Sequence, residues 1–117
     1  RRAVRRGRPH EAYRILRADI DDILATENQQ AGLLVGIEFV HMMIVAGRLD
    51  AAAAVFDHLE TTGLLDNPAW RTLVADAAVT LEPVVRDRRA PVLDHRRALH
   101  LMADVLDELT SPAGERS

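Results

Sequence analysis

At 117 residues, with no cysteine and a formal charge of −3, the chain is sized for one modest core, and disulfides, thiolate metal sites and cysteine nucleophiles are excluded. Aromatic residues make up 3% against 48% hydrophobic residues overall, so Ala, Leu, Val and Ile must fill that core, a composition that favours helices. The acidic balance gives no general attraction for nucleic acid or anionic lipid. All fifteen basic residues are Arg, which with the abundant Ala reads as a high-GC bacterial coding bias.

Arg1 to Arg8 is basic and holds Gly7 near its end, the pattern of a helix C-terminus whose body lies upstream. The chain begins with Arg and lacks the charged start, apolar run and small-residue cleavage site of a signal peptide, so it reads as a piece of a longer, cytoplasmic protein. From Pro9, the apolar residues Ala12, Tyr13, Leu16, Ile20, Ile23 and Leu24 fall at helical spacing and predict an amphipathic helix to about Glu27–Asn28. The next helix, about Gln29 to Ala46, is apolar nearly all round and should be covered on more than one side, with Gly47 stopping it. Its apolar run is shorter than the ~20 residues a membrane span needs and carries Glu38 and His41.

A third helix follows directly through "RLDAAAAVFDHLETTG", with Leu49, Ala52, Ala53, Phe56 and Leu59 on one face and Gly63 closing it. Asp66 or Asn67 then caps, and Pro68 opens, a fourth helix carrying Trp70, Leu73, Val74, Ala77 and Leu81, which Pro83 should end or kink. A fifth runs from about Val92 to Leu109 through Leu99, Met102, Val105 and Leu106. The expected organisation is one all-α helical-repeat domain over residues 1–110, with residues 111–117 a polar tail or linker.

Two stretches repeat each other. "RRGRPHEAYRIL" and "VAGRLDAAAAVF" each place an Ala five residues after a Gly and a large apolar residue four after that Ala. The A-x3-large element occurs as Ala12/Leu16, Ala52/Phe56 and Ala98/Met102, and a W-x2-L element as Trp70/Leu73, weakened to Gly36/Phe39. Gly36 and Trp70 stand thirty-four residues apart, the tetratricopeptide period. Val40 and Val74 in place of a small residue, and a third copy delayed by an insertion holding Pro83 and Pro91, depart from that pattern.

On these motifs the segment from Arg5 to Leu109 resembles the degenerate tetratricopeptide-like repeats of large actinobacterial LuxR-type, ATP-dependent regulators of the maltose-activator class. There, similar units lie between an ATPase module and a DNA-binding module. The resemblance implies about five antiparallel helices as tetratricopeptide-like hairpins in a short right-handed superhelix. It implies a segment that binds a protein partner or effector, with no active site of its own.

In the repeat register the first helix of each pair faces the hollow side. The expected binding surface is Leu34, Ile37, His41 and Val45, then Arg71, Ala75 and Ala78. It is apolar for an open groove, so the expectation is that the protein's own remaining domains, a second copy of the chain or a small apolar effector covers it. No cofactor and no metal are expected.

The rival reading is a small-molecule- or metal-binding helical bundle centred on Glu38 and His41, whose Glu-x-x-His spacing puts two ligands on one helix face. No second copy of that motif occurs, and a buried polar pair is the plainer reading. Asp19, Asp21 and Asp22 in "DIDD" read as a solvated acidic face beside the inward Ile20. His10, His58, His95 and His100 fit no metal-ligand spacing and read as surface residues, and serine occurs only in the tail. The arginines at 86, 88, 89, 96 and 97 lack interleaved aromatics for base stacking, so they read as a charged loop and direct nucleic-acid binding is not expected.

Overall fold

The computed structural model describes residues 9–87 and 93–110. The arginine-rich start with Gly7, part of the proline insertion, including Arg88 and Arg89, and the polar tail lie outside the described residues. Among the described residues the protein is all-α: six α-helices and one 3-10 turn.

Helix α1, Pro9–Thr26, buries Ala12, Tyr13, Leu16, Ile20 and Ile23, the face its periodicity marks out. It ends at Glu27, which adopts a left-handed φ of 56° and donates its backbone N–H to the Ile23 carbonyl at 2.7 Å. Asn28 then caps α2, Gln29–Val45, its side chain accepting from the Ala31 amide. As its all-round apolar character requires, α2 is packed on several sides, by α3 chiefly and also by α1 and α6.

Gly47, at φ 77°, turns the chain back, with the Arg48 amide reaching the Met43 carbonyl at 2.8 Å. That six-to-one bond satisfies a carbonyl the helix end would otherwise orphan. Helix α3, Leu49–Thr61, is the centre of the domain: Ala52, Ala53, Val55, Phe56 and Leu59 have no solvent exposure. The alanines let α2, α5 and α6 approach from different sides. Gly36 on α2 marks one such approach, because a Cβ there would meet the Leu59 and Val55 side chains.

The 3-10 turn Leu64–Asp66 leads to α4, Pro68–Leu73, capped by Asn67, and then to α5, Ala75–Asp87. The expected fourth helix is therefore two. The break falls at Val74 (φ −112°, ψ 12°), a fully buried residue whose amide bonds back only three residues, to Arg71. Seating Val74 in the core turns Leu73 out of it, 54% exposed, against the expectation that both face inward. Pro83 does not end the helix; α5 runs through it to Asp87. The carbonyl that Pro83 leaves without an amide belongs to Val79, a residue 77% exposed, so water can serve it.

Helix α6, His95–Thr110, starts three residues later than expected, capped by the Asp94 carboxylate on the Arg97 amide at 2.8 Å. It packs most extensively on α1 and also on α3 and α2. Two ion pairs tie it down: Arg17 on α1 with Asp107 at 2.9 Å, and Arg48 in the α2–α3 turn with Glu108 at 3.1 Å.

All three A-x3-large pairs lie in the core. The superhelical stacking of hairpins expected from their spacing is not established by these contacts: α1 packs more extensively on α6 than on its chain neighbour α2.

Candidate functional site

The expected binding surface divides. Leu34 and Val45 on α2 are exposed (43% and 78%) and His41 is half-buried. Ile37 is a core residue at 6%, a correction to its expected place on the surface. The reason is the multiple packing of α2, which brings position 37 under a neighbouring helix. Arg71, on α4, is engaged locally: its Nε donates to the Leu65 carbonyl at 3.1 Å and its Nη1 lies 3.4 Å from the Glu60 carboxylate. It ties the 3-10 turn and α4 to the end of α3. Ala75 is exposed and Ala78 half-buried.

Glu38, half-buried, borders a crevice of about 30 Å3 between α1 and α2, lined also by Ala12, Ile15, Leu16, Asp19 and Met42. That volume suits a single water. Among the described residues no three His, Asp or Glu side chains gather to hold a metal ion, at Glu38 and His41 or elsewhere. Asp19, Asp21 and Asp22 are exposed, and Asp21 pairs with Arg17.

A larger cleft, about 290 Å3, opens where the end of α1, the start of α2 and the first turns of α6 meet. Ile23, Leu24 and Leu99 supply apolar walls; Glu27, Gln29, His95 and Arg96 supply polar ones. No signal in the residue spacing marks it, because its lining comes from three separate segments.

Beside the cleft lies the feature that sequence reasoning missed. His58, expected at the surface, is 4% exposed on α3. Its Nδ1 is 2.9 Å from the Leu93 carbonyl oxygen, which can only accept, so Nδ1 carries the proton and donates. His95, half-buried, faces it with ring centroids 5.8 Å apart. His58 Nε2 and both ring nitrogens of His95 are buried with no hydrogen-bond partner among the described residues. A buried polar atom left unpaired costs about 1–3 kcal/mol.

The His95 ring sits where α2 has no side chain: a Cβ on Gly32 would lie 2.6 Å from its Cε1 and 2.7 Å from its Nε2. Burial lowers the pKa of His95 from the usual 6.5, the neighbouring His58 lowers it further, and Asp94 opposes both. The available signal was the run Ala51–Ala54 before Val55 and Phe56. Four small residues mark a helix enclosed on several sides, and a residue two past Phe56 on such a helix is not automatically outside.

Comparison with protein-family models, curated proteins and solved structures finds no match.

Among the described residues, no helix is long and apolar enough to cross a membrane. The described surface offers an exposed apolar corner, where Val45 ends α2 and Leu49 begins α3 on either side of the Gly47 turn. It also offers one cleft with mixed lining.

Proposed function

We propose that this domain is a non-catalytic helical interaction and regulatory segment of a larger signalling or transcription-regulatory protein, binding a protein partner or effector. The observation that carries the reading is the apolar corner of Val45 and Leu49, set on a short, hydrogen-bonded turn at the end of the α2–α3 hairpin. A rigid corner presents apolar side chains at little entropic cost. Leu34, farther along α2, adds an exposed apolar residue. The resemblance of the repeat motifs to the segments between the ATPase and DNA-binding modules of LuxR-type regulators supports the regulatory class. In that setting the partner is the protein's own remaining domains or a second copy of the chain, in a cytoplasmic protein.

Light scattering on the isolated chain, with and without Val45→Asp, tests the reading. The expected result is a dimer, or a complex with a partner domain, that the substitution abolishes while thermal stability changes by no more than about 0.5 kcal/mol, as for an exposed site. A monomer that binds nothing, with Leu34 and Val45 fully open to labelling reagents, would refute it.

The second reading, a small-molecule-binding bundle, is favoured by the 290 Å3 cleft, just below the usual range for ligand pockets. This moves the candidate site from Glu38 and His41 to the junction of α1, α2 and α6. Metal analysis of purified protein together with Glu38→Ala tests the original placing. Unchanged folding and no bound metal would end it.

A further inference from the structure

We propose that His95, seated over Gly32 and against His58, is an acid-sensitive latch: uncharged, it fastens the first turn of α6 to α2 and α3, and protonated, it leaves the seat and frees that turn. This goes beyond the interaction reading and does not rest on it.

The seat is built for a neutral ring. Its floor is Gly32, a point of α2 without a Cβ, and the ring fills that gap so closely that alanine at position 32 could not share it. Its wall is the His58 imidazole, held in place by donation to the Leu93 carbonyl, two residues before His95 itself. The bond from His58 to Leu93 and the contact of His95 with Gly32 thus fix the same turn from two sides. Neither nitrogen of His95 meets an acceptor in this position. A neutral ring tolerates this, whereas an imidazolium presents two N–H donors and a charge, and both would be unmet.

The charged groups around the ring do not rescue the cation in its seat. From α3 the facing group is His58, which disfavours a charge on His95. From α2, Gly32 lies under the ring and the neutral Gln29 lines the adjoining cleft. On the turn itself, Asp94 favours the cation, but it already accepts from the Arg97 amide and lies 3.7 Å from the Arg97 guanidinium, while the cationic Arg96 lines the adjoining cleft. Just past the end of α1, Glu27 also lines the cleft and is exposed to water. A protonated ring that swings out of the seat enters this cleft, where solvent and Glu27 are both available. The exit is therefore already open beside the latch.

The sign follows from linkage. Once released, the ring titrates near its ordinary 6.5, and in its seat it titrates lower, so opening becomes easier as pH falls through 6.5. With a released value of 6.5, the opening constant can rise by at most about thirty-fold between pH 7.5 and 5.0.

Amide hydrogen exchange by NMR, corrected for intrinsic rates, reads this directly at Ala98, whose N–H bonds to Asp94, and at Leu99. Between pH 7.5 and 5.0 the expected exchange from these amides rises three- to thirty-fold in the intact protein, through an opening that at every pH is more frequent than the global unfolding that exposes Val55 and Phe56 in the core of α3. His95→Asn should make the profile flat. Gly32→Ala should evict the ring, so that the His95 Cε1 proton titrates at the ordinary value. The proposal is overturned if the intact protein shows no rise, if the rise persists in His95→Asn, or if Ala98 and Leu99 exchange no faster than Val55 and Phe56 at the same pH, which would report global unfolding. Should Gly32→Ala fail to fold, the comparison of the intact protein with His95→Asn still decides.

Discussion

Gly36 backs onto Leu59 so closely that a Cβ on α2 at this point would lie 3.2 Å from one Leu59 methyl and 3.4 Å from Val55. Both partners are fully buried and have little room to withdraw. Alanine would gain about 1 kcal/mol of helix propensity and lose a comparable amount in crowding, so Gly36→Ala should stay within about 1 kcal/mol of the parent. Gly36→Leu has no such balance and should cost at least about 2–3 kcal/mol. Urea unfolding followed by Trp70 fluorescence measures both, and a leucine variant as stable as the parent would mean that α2 and α3 do not pack as described.

Glu27 is the reverse case, a residue that pays for a conformation suited to glycine. Its φ of 56° lies in the left-handed region, at the position where helices favour Gly. The side chain makes no hydrogen bond that would repay it among those described. Glu27→Gly should therefore stabilise the domain by about 0.5–1.5 kcal/mol. A thermal melt checks this: a midpoint higher by several degrees is expected, and a lower one would mean that α1 ends differently.

The helices were legible because their signals are local. Asn28, Gly47, Gly63 and the pair Asn67–Pro68 each act within a turn of the boundary they set, and all four boundaries lie where those residues put them. The break at Val74 was not legible, because it follows from seating one valine in a core made by other helices. Pro83 does not end its helix for the same reason in reverse: its local penalty is real, but it falls on an exposed stretch where water can absorb it. At the candidate site, the repeat register placed Val45 and Leu34 on the surface, and both are exposed. Ile37, by contrast, could be judged only after knowing how many helices lie on α2. His58, His95 and Gly32 come from three helices, so their juxtaposition is a tertiary fact that no spacing encodes.

The contact of α1 with α6 closes the described chain, and Arg17 is its polar fastening. Its guanidinium bonds Asp107 across the interface and Asp21 one turn on, and the bond to Asp107, more than that to Asp21, raises its pKa. Both carboxylates are largely exposed, so solvent weakens the attraction. A double-mutant cycle between Arg17→Ala and Asp107→Ala should give a coupling of about 0.3–1 kcal/mol that shrinks in high salt. Zero coupling at low salt would mean that this pair does not form, and would weaken the closed arrangement in which the last helix returns to the first.

Acid should destabilise this domain earlier than its carboxylates alone would dictate. His95 has a folded-state pKa below the unfolded 6.5, with burial the first cause and His58 the second. A group depressed in the native state contributes fully above its unfolded value, and the contribution is lost as pH falls through 6.5 toward the folded value, because only the unfolded chain then takes up the proton. Below the folded value the loss is complete and the slope vanishes. Carboxylates of ordinary pKa, about 4, do not titrate in that window. Stability from urea unfolding should therefore be level from pH 8 to 7 and decline between 6.5 and 5, and the decline should be absent in His95→Asn. An identical decline in that variant would assign the effect to another group.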